Sequence, residues 1–302
     1  MIRKILRWIV ILLAAILGLA LTGVVAIYLL AEAQLSQVYD LPPETIVVPT
    51  DAESIARGEH LTNVVFFCAA CHGENMAGQV LGDDWLTGSL VASNLTPGQG
   101  SAVRDYSASD WAIAIRHGVL PDRKAGLFML SNKFSHVSDA DIGAIIAYYR
   151  SLPPVDNELP KTRLGLMGRF FLLQNPPALL PALLVDHTAP RPPAPEPGVT
   201  AEYGEYLTHL CTLCHGEDFG GGRGEGPPPG PNLTPGGDLA TWTEDDFIRT
   251  LRTGVKPDGK ELDPEAMPWK TFGQMTDDEL KAVWLFLQSR PPLESPTPTP
   301  AP

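Results

Sequence analysis

Cys68-Ala69-Ala70-Cys71-His72 and Cys211-Thr212-Leu213-Cys214-His215 hold all four cysteines of this 302-residue chain. Cysteines three positions apart lie on one helical turn, and the histidine that follows each pair offers an imidazole beside them. This is the spacing of c-type haem attachment. Each thiol can add to one vinyl group of the same porphyrin edge, and the histidine can reach the iron. Structural disulfides would not need a histidine after both second cysteines. A tetrahedral zinc site is hard to close from adjacent Cys and His positions of one turn. A redox Cys-x-x-Cys pair expects strand-helix-strand surroundings, and no such pattern is evident in the sequence. The reading is two covalently held haem c groups, with Cys68, Cys71, Cys211 and Cys214 as thioether positions and His72 and His215 as axial ligands.

Working outward, the flanks of the two motifs match in order and spacing, which marks an internal duplication. Gly58-Glu59-His60-Leu61 precedes the first motif and Gly204-Glu205-Tyr206-Leu207 the second. Asn94-Leu95-Thr96-Pro97 and Asn232-Leu233-Thr234-Pro235 follow. Next come helices expected to open at Ser107 with Asp110, or Thr243 with Asp246, as capping pairs, and to end at Gly118 or Gly254. A last helix is expected from Ser138 (with Asp141) or Thr276 (with Glu279) to Ser151 or Ser289, stopped by Pro153-Pro154 or Pro291-Pro292. Ile142, Ile145, Ile146 and Tyr149, against Leu280, Val283, Trp284 and Leu287, give each last helix an apolar core face.

The register also selects the sixth iron ligand, for which methionine is expected at a high-potential haem. Met129 and Met267 each stand nine residues before the cap of the last helix, so they are the axial candidates. Met76 and Met275 have no methionine counterpart. His117 and His136 are the alternative ligands for the first haem, whereas His60, His187 and His209 read as ordinary polar side chains. Gly220 to Gly226 lacks the Lys-Ser/Thr ending of a phosphate loop and reads as a flexible haem-side loop.

Trp8 to Leu30 is 23 residues without a charge. As a helix it would reach about 34 Å, enough for a hydrocarbon core of about 30 Å. Arg3, Lys4 and Arg7 precede it and Glu32, Asp40 and Glu44 follow, so the amino terminus is expected in the cytoplasm and the rest outside. Ala31-Glu32-Ala33 offers a cleavage site, but the apolar run exceeds the 7–15 residues of a usual signal core, favouring a retained anchor. Net charge is −13, and beyond residue 30 there are 19 bases against 35 acids. Such a surface would repel nucleic acid and suits a basic partner or plain solubility. Composition, 44% hydrophobic with 30 prolines and 28 glycines, excludes a disordered chain and predicts about two loop-rich domains.

On these residues, both halves resemble cytochromes of the class I c-type fold, in which a terminal helix packs across the first. Asn-Leu-Thr-Pro, the Arg-x-Gly-Val helix end, Met267-Pro268-Trp269 and the ending Ser-x-Pro-Pro resemble more narrowly the membrane-bound cytochrome subunits of bacterial alcohol, aldehyde and gluconate dehydrogenases. Those usually carry three haems where this chain has two. The resemblance implies a mostly α fold, two tandem class I cytochrome c domains after one N-terminal transmembrane helix. Its parts would be an anchor over 1–33, domains over 50–155 and 199–293, an apolar and proline-rich connector over 156–198, and a disordered tail over 294–302. The apolar part of the connector is expected to cover a haem domain or the interface between them. In Gly230-Pro231-Asn232-Leu233, Pro231 is implied to put its carbonyl on the second nitrogen of His215, and Ser93 to do so for His72 without the rigid proline.

Two irons bound by His and Met have no vacant position, so the expected activity is one-electron transfer rather than catalysis. Expected partners are a dehydrogenase, a quinol-oxidising complex, an oxidase or a soluble cytochrome, with the membrane reached through residues 8–30. The alternatives are a dihaem peroxidase, which needs one open iron, and a fixed haem subunit of an oxidase or dehydrogenase complex.

Overall fold

The computed structural model describes residues 1–191, 193–222 and 229–296. In chain order the elements are α1 (Ile2–Leu35), α2 (Ala52–His60), α3 (Ala69–His72), β1 (Gln79–Asp84), β2 (Gly88–Ala92), α4 (Ala108–His117), α5 (Ser131–Phe134) and α6 (Asp139–Ser151). They continue with β3 (Arg163–Leu164), α7 (Leu166–Gln174), α8 (Pro176–Leu179), α9 (Ala201–Leu207), α10 (Thr212–His215), α11 (Glu244–Thr253), α12 (Trp269–Phe272) and α13 (Asp277–Ser289). Helix takes up 48% and strand 7%, the mostly helical chain the sequence implies. The chain forms two compact units. One comprises Met1–Glu44, Cys71–Asn132 and Pro153–His187, and the other Thr45–Ala70, Lys133–Leu152 and the described part of Thr188–Pro302.

In the first unit, α1 is long and apolar enough to cross a membrane, which fits an anchor. Helix α4 starts and stops as its sequence dictates. Ser107 and Asp110 exchange hydrogen bonds as a capping box, and Gly118 closes the helix at φ 65°. Two findings depart from expectation. Strands β1, β2 and β3 form an antiparallel sheet in that order, where the sequence reading has none. The apolar connector builds α7, which packs on β2 and β3 and, beyond the expected cover of a haem domain, on α1. Leu172 and Leu180 of the connector region join Ala31 of α1 in a small buried core.

The second unit holds both first-helix and last-helix pairs of the repeat, α2 on α6 and α9 on α13. Charge and hydroxyl contacts link the pairs in a repeated pattern. His60 Nε2 meets Glu279 Oε2 at 2.7 Å, and Tyr206, at the position equivalent to His60, donates to Asp141 Oδ2 at 2.7 Å. Arg57 bridges the two sets, with Nε on Asp141 at 3.1 Å and Nη1 on the Tyr203 hydroxyl at 3.0 Å. Burial raises the Glu279 carboxyl, but the hydrogen bonds from His60 and from the Thr276 backbone outweigh it and hold the group below its ordinary value. Thr276 and Glu279 form the expected capping box. At Ser138 the box is opened: Asp141 turns to Arg57 and Tyr206, and the Ser138 amide donates to the Tyr206 hydroxyl at 3.1 Å. His60 is thus a structural hydrogen-bond partner of Glu279.

Candidate haem-binding sites

Each attachment motif winds into a short helix ending on its histidine, α3 at His72 and α10 at His215. The following chain takes the same path twice. Gly73, Met76 and Gly78 have φ of 77°, 58° and 77°, and Gly216, Phe219 and Gly221 have φ of 81°, 60° and 76°. The glycines are needed: a side-chain carbon on Gly78 would lie 2.6 Å from the Ser93 carbonyl carbon, and one on Gly221 2.6 Å from that of Pro231. These turns return the chain to its start, with the Gly78 amide on the His72 carbonyl at 2.8 Å and the Gly221 amide on the His215 carbonyl at 2.9 Å.

That close approach positions one acceptor for each imidazole. His72 Nδ1 donates to the Ser93 carbonyl at 2.9 Å and His215 Nδ1 to the Pro231 carbonyl at 2.8 Å. Burial lowers the pKa of both rings, while the same hydrogen bonds raise it, so the rings are neutral. With Nδ1 engaged, Nε2 is the nitrogen left for a metal. At the second site the ring is also gripped from the side, because a side-chain carbon on Gly230 would fall 2.5 Å from His215 Nδ1.

Sequence reasoning passed over the residues that hold those carbonyls. Asn94 Nδ2 donates to the Val155 carbonyl at 2.9 Å, while its Oδ1 accepts from the Thr96 amide and hydroxyl at 2.9 and 2.8 Å. Asn232 does the same with the Leu293 carbonyl at 2.7 Å and with Thr234 at 2.8 and 2.7 Å. The repeated Asn-Leu-Thr segment was legible as a motif, but its partners are backbone groups about sixty residues away. It clamps the segment bearing Ser93 or Pro231 to the chain beyond the last helix. Replacing Asn232 with Leu should loosen the Pro231 carbonyl and weaken its hold on His215. A less basic ligand disfavours the ferric state. The second haem's potential should rise by on the order of 60 mV, equivalent to a tenfold loss of ferric ligation, while the first stays fixed; spectroelectrochemical titration reads both.

Met129 and Met267 occupy matching local structures. The Met129 carbonyl accepts from the Ser131 amide at 2.7 Å at the start of α5, and the Met267 carbonyl from the Trp269 amide at 2.6 Å at the start of α12. Both side chains are half-buried. Met76 and Met275 are buried at positions that Phe219 and Val137, also buried, fill in the other repeat, so they serve as core. The alternative histidines are engaged with protein. His117 meets Glu44 at 2.9 Å and His187 at 2.7 Å, and His136 stacks on His209 with ring centroids 3.5 Å apart.

The cysteines carry thiols, not disulfides. Burial pushes Cys211 up to about 12, and raises Cys71 and Cys214, so these groups are protonated at neutral pH. Cys68 shares a hydrogen bond with the buried Tyr149 hydroxyl. Two thiols, a neutral imidazole with a fixed tautomer and a thioether, repeated in register, fit haem c at both sites. Of the glycine-rich stretch, Gly220 to Gly222 belong to the turn after His215, while residues 223–228 lie outside the described residues, as do Pro192 and residues 297–302 of the tail.

Residues 55–153 match the family model described as cytochrome c, and residues 201–287 that of subunit III of the cbb3-type cytochrome c oxidase. The chain carries two cytochrome c domains. It is similar to the fructose dehydrogenase cytochrome subunit of Gluconobacter japonicus, 24% identical across 90% of this chain and 59% of that protein. It is likewise similar to the cytochrome c subunit of the quinone alcohol dehydrogenase of Gluconobacter oxydans strain 621H, 26% identical across 80% of this chain and 55% of the relative. The gluconate 2-dehydrogenase cytochrome c subunit of Pantoea cypripedii is 33% identical over 95 residues, 28% of this chain and 21% of that protein. The chain spans little more than half the length of the fructose and alcohol dehydrogenase cytochrome subunits it matches. Two cytochrome c domains imply haem c as the cofactor.

Proposed function

We propose that this cytochrome is the anchored haem subunit that takes electrons from a membrane-associated dehydrogenase and passes them to a redox acceptor outside the cytoplasm. The carrying observation is the duplicated histidine geometry, His72 Nδ1 on the Ser93 carbonyl and His215 Nδ1 on the Pro231 carbonyl, with Met129 and Met267 at matching positions of the repeat. Haem c, when bound, supplies a one-electron couple at its iron. The chain's own part is to attach the ring through Cys68 and Cys71, or Cys211 and Cys214, and to present Nε2 of His72 or His215 on one face. The Ser93 and Pro231 carbonyls fix the imidazole tautomer and raise its basicity. Met129 and Met267 would supply the second ligand to each iron, and thioether ligation would favour the ferrous state and keep small ligands off it.

The relatives' role as cytochrome subunits of dehydrogenases supports a dehydrogenase as electron donor. The three cations before the apolar run and the acids after it support a cytoplasmic amino terminus with the haem domains on the opposite side. Charges of −7 over residues 31–155 and −10 over residues 196–302 would steer a basic acceptor to either half. The test is purification of the tagged full chain from membranes. A dehydrogenase should copurify, and its substrate should reduce both haems. Carbon monoxide binding to the reduced protein would instead open an iron and sink the relay, pointing to the peroxidase class.

A further inference from the structure

We infer that the connector helix α7, the β1–β2 turn and the segment before Val185 form an apolar foot that lies in the lipid interface beside the anchor. This inference rests on reading residues 8–30 as the anchor. It adds a second membrane contact, made by the folded unit itself.

The foot is rooted on the last two turns of α1. Ala31 is fully buried with Leu172 and Leu180, and Ile27, Gln34 and Leu35 are half-buried on the same stripe. Arg169 Nη1 pairs with Glu32 at 3.0 Å, and its guanidinium lies 4.8 Å from the Tyr28 ring centre. Tyr28 and Glu32 are where the uncharged run gives way to the first acid, the level at which a spanning helix meets the headgroups. Helix α7 is therefore held at headgroup level by contacts to the anchor itself.

The β1–β2 turn is fixed to α7 in turn. The Gly165 amide donates to the Thr87 carbonyl and the Met167 amide to the Leu86 carbonyl, both at 2.9 Å. This assembly turns large apolar side chains to the outside: Trp85 is 81% exposed and Phe171 53%, with Phe170 and Leu184 exposed as well. The acids beside Trp85 are exposed but engaged by neighbouring groups. Asp84 accepts from the Leu86 and Thr87 amides at 2.9 Å, and Asp83 pairs with Arg163 at 3.1 Å. A soluble surface rarely shows such a set together, whereas Trp and Phe next to the end of a spanning helix are the composition of an interfacial belt. Continuity with the anchor selects lipid as the occupant.

The experiment uses the full-length holoprotein in phosphatidylcholine nanodiscs containing a phosphatidylcholine with a diazirine near the headgroup end of its acyl chain. After irradiation, lipid adducts are mapped by mass spectrometry. Adducts should appear on α1, on the peptide bearing Trp85 and on those bearing Phe170–Phe171 and Leu184. The paired variant Trp85→Ser, Phe171→Ser should lose most of the adducts at those two sites and leave α1 labelling and the haem spectrum unchanged. Adducts confined to α1 would overturn the foot and keep the anchor. An unlabelled α1 would overturn both. Protection of Trp85 and Phe171 by a bound protein subunit, seen as protein crosslinks with no lipid adducts there, would also overturn it.

Discussion

Met267→Ala should remove about half of the methionine-to-iron charge-transfer band of the oxidised protein, and Met129→Ala the other half. The two positions share a register and a backbone turn, each carbonyl closed by the amide two residues on. Neither methionine is needed to fill the core, as Met76 and Met275 are, because both are half-buried at the rim of their domains. Loss of either should therefore leave folding largely intact and change the iron. The potential of the affected haem should fall by on the order of a few tenths of a volt, within the roughly 0.8 V that axial ligands span. The reduced variant should also acquire carbon monoxide binding at that haem alone. A band that survives Met129→Ala undiminished would remove Met129 from the first iron and return His117 and His136 to consideration, although both rings are held by other side chains here.

Much of this site is legible in the amino-acid sequence because its determinants are local. Cys-x-x-Cys-His fixes one turn of helix. Ser107 with Asp110, and Thr243 with Asp246, fix helix starts by hydrogen bonds spanning three residues. The spacing between such marks then carries the methionines. What escaped is non-local or lacks a periodic signal. Strand β1 is exposed along its whole length, so Gln79–Asp84 shows no alternation of apolar and polar residues from which a strand could be read. The Asn94 and Asn232 clamps end on backbone carbonyls far along the chain. His60 reads as an ordinary polar side chain and Asp141 as a capping partner of Ser138 until α2, α6, α9 and α13 meet. The connector was readable as apolar, but composition alone could not say that its partner was the anchor helix.

The helix crossings yield the other large effect, at Gly58 and Gly204. A side-chain carbon on Gly58 would stand 2.0 Å from the Ala144 carbonyl oxygen, and one on Gly204 2.0 Å from that of Ala282. Both obstacles are helix backbone, so relief requires α2 to move off α6, or α9 off α13. In a free helix, Gly→Ala would be favourable by about 1 kcal/mol. Here overpacking costs typically 1–3 kcal/mol, and more where backbone must shift, so the steric cost wins. Gly58→Ala and Gly204→Ala should each lower unfolding stability by about 2 kcal/mol in denaturant titration of the holoprotein, and valine at either site should cost more. Gly23 of α1 has no atom within 4 Å of such a carbon, so Gly23→Ala should show no loss of stability in the same assay. The two crossings hold the first helix of each repeat, which leads directly into its haem motif. Equal losses at Gly58 and Gly204 would mean that the duplication preserved the energetics of this joint along with its sequence, whereas stabilisation by either alanine would show that the helices are not packed backbone to backbone.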